Sequence, residues 1–150
     1  MDVPGEHDHD VGACARAWQM LRMAHERVAH RLDAALSREC GLAIHEFDAL
    51  LYLRSHRDGS VRLGSLLEAV SLSQPALSRL VARLETRGLL TRSPADDDRR
   101  ASIVTLSETG TALIDRAVAI HARVVHETLT SKFTDEEQAA LLHTLSRIGG

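Results

Sequence analysis

The sequence predicts a mainly α-helical fold carrying one small antiparallel β-wing. Three observations predict it. The chain of 150 residues is 44% hydrophobic but only 3% aromatic, so its core must be built from Leu, Ala, Val and Ile. Apolar residues recur at three- and four-residue intervals over most of its length, the helical period. Between them, residues 73–106 read as a short capped helix followed by a tight charged hairpin. The length suits a single domain with a proper core.

The elements follow in order. Residues 1–10, MDVPGEHDHD, read as a disordered acidic tail. A long helix is expected over 12–38, with Leu21, Val28, Leu32 and Ala35 on its apolar stripe and Gly41 as its breaker. A second helix covers 45–56, with Phe47, Leu50, Leu51 and Leu53 apolar and Asp58-Gly59 as the turn behind it. Val61-Arg62 suffices for a minimal strand, and Leu63, Leu66, Leu67 and Val70 mark a short helix over 63–70.

Ser73 is a good N-cap, and Pro75 stands in the first turn, where its missing N–H costs nothing. Gly88 closes that helix. Leu89–Arg92 and Ser102–Leu106 read as paired strands around the polar turn SPADDDRR. Ser107 caps a long helix reaching about residue 131, carrying Leu113, Ala117, Ile120, Val124 and Leu129. Thr134 to Glu137 form a capping box for a last helix that buries Leu141, Leu142, Leu145 and Ile148. The middle, 45–106, is thus a winged helix-turn-helix, flanked by long dimerisation helices in 11–44 and 107–150. The small middle cannot cover the flanking apolar stripes, which must meet each other and a second copy of the chain.

On the 73–87 helix, Leu77, Leu80, Val81 and Leu84 gather on one side. The other side carries Pro75, Ser78, Arg79, Ala82 and Arg83, with small residues that permit close approach. Arg79 points most directly outward, suited to a bidentate contact with guanine in a major groove. Ser73, Gln74 and Ser78 lie at the N-terminal end, where backbone N–H groups suit a phosphate. Net charge is −3, which alone argues against nucleic acid, but residues 79–100 hold six arginines against four acids. A local excess of that kind can serve phosphates while the remainder stays acidic.

One stretch begins at Ser73 and reads SQPALSRLVARLE-x-RGLL. A second is Asp98-x-Arg100-x-x-x-Val104-x-Leu106-Ser107-x-x-Gly110. Together they resemble the MarR family of winged-helix transcription regulators, which more often has Thr where this chain has Ser107. The resemblance implies an obligate homodimer on a pseudo-palindromic operator, usually as a repressor. It implies that Arg100, beside Arg99, enters the minor groove and that Asp98 orients an arginine by a charge-assisted bond. It also implies DNA release on binding a small phenolic or aromatic anion between the dimer helices and the winged domain. Trp18, Arg22 and His25 of the first helix and His45 and Asp48 of the second are candidates there: cations for a carboxylate, an indole for a ring. The alternative for Trp18 is a place in the dimer core.

Other readings are weaker. His7-Asp8-His9-Asp10 is a poor chelator on a loose tail, and His121 and His126 diverge on a helix, so no metal or other cofactor is expected. A redox switch would need a reactive cysteine where this chain has Leu21; Cys14 and Cys40 are expected to be free and partly buried. A metal- or redox-responsive regulator of the same fold, or a winged-helix adaptor that binds no DNA, are the alternatives. No phosphate loop, nucleophile elbow or catalytic carboxylate pair suggests an enzyme. Neither a bilayer-spanning run nor a secretory leader is visible, so a cytoplasmic protein is expected, without a membrane partner.

Overall fold

The computed structural model describes residues 11–95 and 101–149. The tail 1–10 and the wing tip 96–100, with Asp98, Arg99 and Arg100, lie outside the described residues. The elements are α1 (Val11–Cys40), α2 (Ile44–Ser55), β1 (Ser60–Arg62), α3 (Leu63–Ala69), α4 (Gln74–Thr86), β2 (Leu90–Pro94), β3 (Ser102–Leu106), α5 (Glu108–Thr128), a 3-10 turn (Thr130–Lys132) and α6 (Asp135–Gly149). Helices dominate, and the three strands form one antiparallel sheet in the order β1-β3-β2.

The sheet is slightly larger than the sequence suggests. β1 joins β3 through Val61 opposite Val104, and the Ser60 and Thr105 hydroxyls meet across it at 2.8 Å. β2 starts one residue later than expected and runs on to Pro94, opposite Ser102. Leu89 is diverted because its N–H closes the end of α4. Pro94 is tolerated because β2 is an edge strand, where a lost donor breaks no ladder.

One aliphatic core joins the elements. Leu36 of α1, Leu50 and Leu53 of α2, Leu66 of α3, Leu77 and Leu84 of α4, Val104 of β3 and Ile114 of α5 are fully buried. Phe47 is the one aromatic residue in that core, and its ring stacks on His121 of α5 at 5.0 Å and 9°. Ion pairs fasten the helices outside it: Arg54 to Asp115 at 2.9 Å and Arg123 to Glu39 at 2.8 Å. Hydrogen bonds from Arg123 and then Arg38 hold the Glu39 carboxyl below the usual range.

The long helices are only half used. Residues 11–27 of α1 are all exposed, and burial begins at Val28. Leu21 and Leu51, expected on apolar stripes, are exposed. On α6, Leu142, Leu145 and Ile148 are also exposed and Leu141 is half-buried, contrary to the expected buried stripe. None of the described elements covers that face. Trp18 is 66% exposed and Ile148 71%. Cys40 is buried, whereas Cys14 is exposed rather than partly buried, because it lies on the uncovered end of α1. The capping box of α6 forms as expected: Thr134 N–H donates to Glu137 at 2.9 Å and Glu137 N–H to Thr134 Oγ1 at 3.2 Å.

Where α4, β2 and α5 meet, backbones touch. A Cβ built on Gly110 lies 2.0 Å from the Leu89 carbonyl oxygen, so any side chain there forces two backbones apart. Gly110→Ala is therefore expected to lose at least ~2 kcal/mol of stability, the upper part of the range for overpacking, because the obstacle is main chain. Urea unfolding at neutral pH measures this; an unchanged midpoint would contradict the close approach.

Candidate nucleic-acid interface

The α4 helix is positioned at both ends by its own sequence. Ser73 adopts extended backbone and its Oγ accepts weakly from Ala76 N–H at 3.4 Å, with Pro75 just inside the helix. At the far end Gly88 takes φ +70, donates to the Glu85 carbonyl at 2.9 Å, and lets Leu89 N–H reach the Leu84 carbonyl at 3.0 Å. That is the two-bond stop in which glycine avoids the left-handed penalty of other residues. The chain then enters β2 immediately, so the wing springs directly from the helix end.

Face by face, the expected division holds. Leu77, Leu80, Val81 and Leu84 are buried; Pro75, Ser78, Arg79, Ala82 and Arg83 are exposed. Gln74 and Ser78 border a cleft of about 540 Å³, shared with Arg62 and Ser65 near α3 and with Ala101 and Ser102 at the base of the wing. The N-terminal end of α4 and the wing thus front one concave surface. Arg79 makes no hydrogen bond or ion pair among the described residues, leaving its guanidinium available.

Arg83 differs from that expectation of a simple outward cation. Its Nε donates to Glu46 Oε1 at 3.4 Å, and Arg87 Nη1 donates to Glu46 Oε2 at 3.2 Å. Glu46 also accepts from Ala43 N–H at 3.0 Å, the reciprocal half of a capping box whose other half alanine cannot supply. Asp33 of α1 caps the same helix end, accepting from Ile44 N–H at 3.0 Å. Glu46 went unnoticed in the sequence, where it reads as an ordinary first-turn acid.

A second concavity, about 730 Å³, lies between α1 and the winged part; His25, His45, Asp48, Leu51 and Tyr52 border it. Three of the five effector candidates thus converge. Trp18 and Arg22 do not border it: Trp18 is exposed farther along α1, and Arg22 pairs with Glu26 at 2.6 Å. His45 also borders a smaller crevice of about 210 Å³ with Glu46, Arg79 and Arg83. One imidazole therefore stands between the cleft and the outward arginine of α4.

A capped surface helix bearing an exposed arginine, with a strand-paired wing springing from its end, defines a winged-helix DNA-binding protein. The family model described as "MarR family" matches residues 41–101. The chain is 33% identical over 128 residues to the HTH-type transcriptional regulator PecS of Dickeya dadantii, covering 81% of this chain and 75% of that protein. The chain belongs to the MarR family and is a transcriptional regulator that binds DNA. Its fold superposes on Sco3205, a MarR family regulator of Streptomyces coelicolor solved in complex with DNA, with a TM-score of 0.83 and 23% identity over 90% of this chain and 85% of that one. Bordetella bronchiseptica BpsR, whose DNA binding is regulated by 6-hydroxynicotinic acid, shares the fold with a TM-score of 0.76 and 24% identity over 98% of each chain.

Within the second cleft, burial raises the Asp48 carboxyl above the ordinary aspartate range, and His45 and then His121 pull it partly back. Such a group binds its proton more tightly folded than unfolded. Its contribution to stability is then greatest at low pH and declines as pH rises from the ordinary aspartate value to the raised one. Asp48→Asn is expected to be more stable than the wild type at neutral pH and equal to it below that window. Denaturant unfolding at the two pH values reads the difference; a gain of the same size at both would assign the effect to packing.

Proposed function

We propose that the chain acts in the cytoplasm as a homodimeric repressor on a pseudo-palindromic operator and leaves it when a small aromatic anion binds. The observation that carries the DNA reading is Arg79: outward on a helix capped at both ends, without a partner among the described residues, and flanked by Ser73, Gln74, Pro75 and Ser78. In this reading residues 45–106 are the DNA-binding unit; Arg83, expected on the contact face, is drawn to Glu46 instead of to DNA. Arg100, beside Arg99, enters the adjoining minor groove, and Asp98 orients it or an arginine of α4. Residues 11–44 and 107–150 join two copies and hold the two recognition helices about 34 Å apart, one turn of the duplex.

Support for the dimer comes from the apolar residues that one chain leaves uncovered on α1 and α6, among them Trp18, Met20, Leu142 and Ile148. A surface of that kind marks an interface in a soluble protein. Trp18 belongs to this surface, and Arg22 lies beside it.

The effector reading rests on the cleft of His25, His45 and Asp48, a size suited to a small ligand. Imidazole N–H groups suit a carboxylate, and Leu51 and Tyr52 suit a ring. The BpsR precedent supports an acidic aromatic heterocycle as the chemical class. Displacing His45 would be felt at Arg79, since both border the same small crevice.

Arg79→Ala is expected to weaken binding to a duplex selected from a randomised pool by roughly 5- to 150-fold, the loss of one bidentate base contact. Gel shift or fluorescence anisotropy measures it, and wild-type affinity in the variant would remove Arg79 from the interface. Sedimentation velocity should show a dimer at micromolar concentration; a monomer would overturn the assembly. Titration with hydroxylated aromatic carboxylates, read by release of labelled duplex, should find at least one that acts on the wild type and not on His45→Ala. Release of both proteins alike would place the effector elsewhere.

A further inference from the structure

Glu46 is the one charged residue buried among the described residues, its side chain only 8% exposed. A carboxylate withdrawn from water must be compensated by donors. Three serve it: the Ala43 N–H at 3.0 Å, Arg83 Nε at 3.4 Å and Arg87 Nη1 at 3.2 Å. Residues 79–87 hold three arginines, at 79, 83 and 87, and this one acid engages two of them. The engaged guanidiniums are not deeply buried: Arg83 is 57% exposed and Arg87 36%. Both could turn outward through side-chain torsions alone.

A guanidinium chooses between a carboxylate and a phosphate, since both accept its planar fork. Every arginine that settles on a phosphate adds affinity for any duplex, because backbone contacts carry no sequence information. We propose that Glu46 is a specificity-determining positioning residue: it withholds Arg83 and Arg87 from phosphates, leaving Arg79 as the cation of α4 that meets DNA. This rests on α4 being the DNA-contacting helix. The carboxylate performs two tasks with one group. It caps α2, and it ties the C-terminal half of α4 to that cap, so the recognition helix presents a small polar surface rather than a row of three cations.

Glu46→Gln separates the tasks. The glutamine amide oxygen still accepts from Ala43 N–H, but the charge that holds the two arginines is gone. In the full-length protein, nonspecific affinity is expected to rise about 5- to 20-fold for a random-sequence duplex at moderate salt. The slope of log affinity against log salt should steepen by about 0.9 for each freed arginine. Affinity for a duplex selected from a randomised pool should change less, so the ratio of specific to nonspecific binding falls. A purely structural role would weaken both duplexes together and leave the slope where it was. Adding Arg83→Gln to Glu46→Gln should return the slope part of the way.

Arg83→Gln alone gives a second measurement that keeps Arg87 as a partner for the acid and stands even if Glu46→Gln fails to fold. Its slope should equal that of the wild type; a decrease of about one would place Arg83 on a phosphate in the wild type and overturn the proposal. An unchanged slope and ratio in Glu46→Gln would overturn it equally. If the wild type binds the selected duplex and Arg79→Ala does not, the DNA reading stands whatever Glu46 does. Should Arg79→Ala bind normally, that reading falls first.

Discussion

Two consecutive carbonyls, those of Gly88 and Leu89, hold the working parts of this molecule together. Ser107 Oγ donates to the first at 2.6 Å and Ser107 N–H donates to the second at 3.1 Å. The same hydroxyl accepts from Gly110 N–H at 2.9 Å and so begins α5. Gly110, lacking a Cβ, lets α5 approach the Leu89 carbonyl. The end of α4, the start of β2 and the start of α5 are thereby one rigid junction. A displacement of α5 cannot leave α4 behind, which is what any control of helix spacing requires.

That junction also explains which parts of the design the sequence displayed. Ser73, Pro75, Gly88 and Ser107 act through their own backbone conformations and hydrogen bonds to near neighbours, so their roles are local and can be read in one dimension. The same holds for the buried face of α4, since four apolar residues at helical spacing leave little choice of side. Glu46 was invisible for the opposite reason. Its donors Arg83 and Arg87 lie far away in sequence, and nothing local distinguishes it from a solvent-facing acid. The exposure of Leu142, Leu145 and Ile148 was hidden in another way: periodicity reports an apolar face but not what covers it.

The second helix gives these pieces a common frame. His45, Glu46, Phe47 and Asp48 are consecutive, and the helical turn spreads them over the cleft, α4 and α5. His45 stands between the cleft and the crevice beside Arg79, Glu46 reaches α4, Phe47 stacks on α5 through His121, and Asp48 faces the cleft. With its N-terminus fixed by Asp33 and Glu46, α2 has little freedom to slide. In the proposed reading, a ligand against His45 or Asp48 would act on a helix already tied to α4, with no need of a separate relay.

The charge distribution completes the picture. A chain of net charge −3 cannot rely on overall attraction to DNA, so its cations must be allotted rather than merely present. Arg54 and Arg123 are committed to helix packing, paired with Asp115 and Glu39, and Arg22 to its neighbour Glu26. Each pair is exposed and worth little to stability singly. Together they neutralise three cations that lie outside α4. The guanidinium of Arg79, without a partner among the described residues, stays available on the outward face of α4. Acidity elsewhere repels phosphates, so in the proposed reading the low net charge favours selective over nonspecific contact.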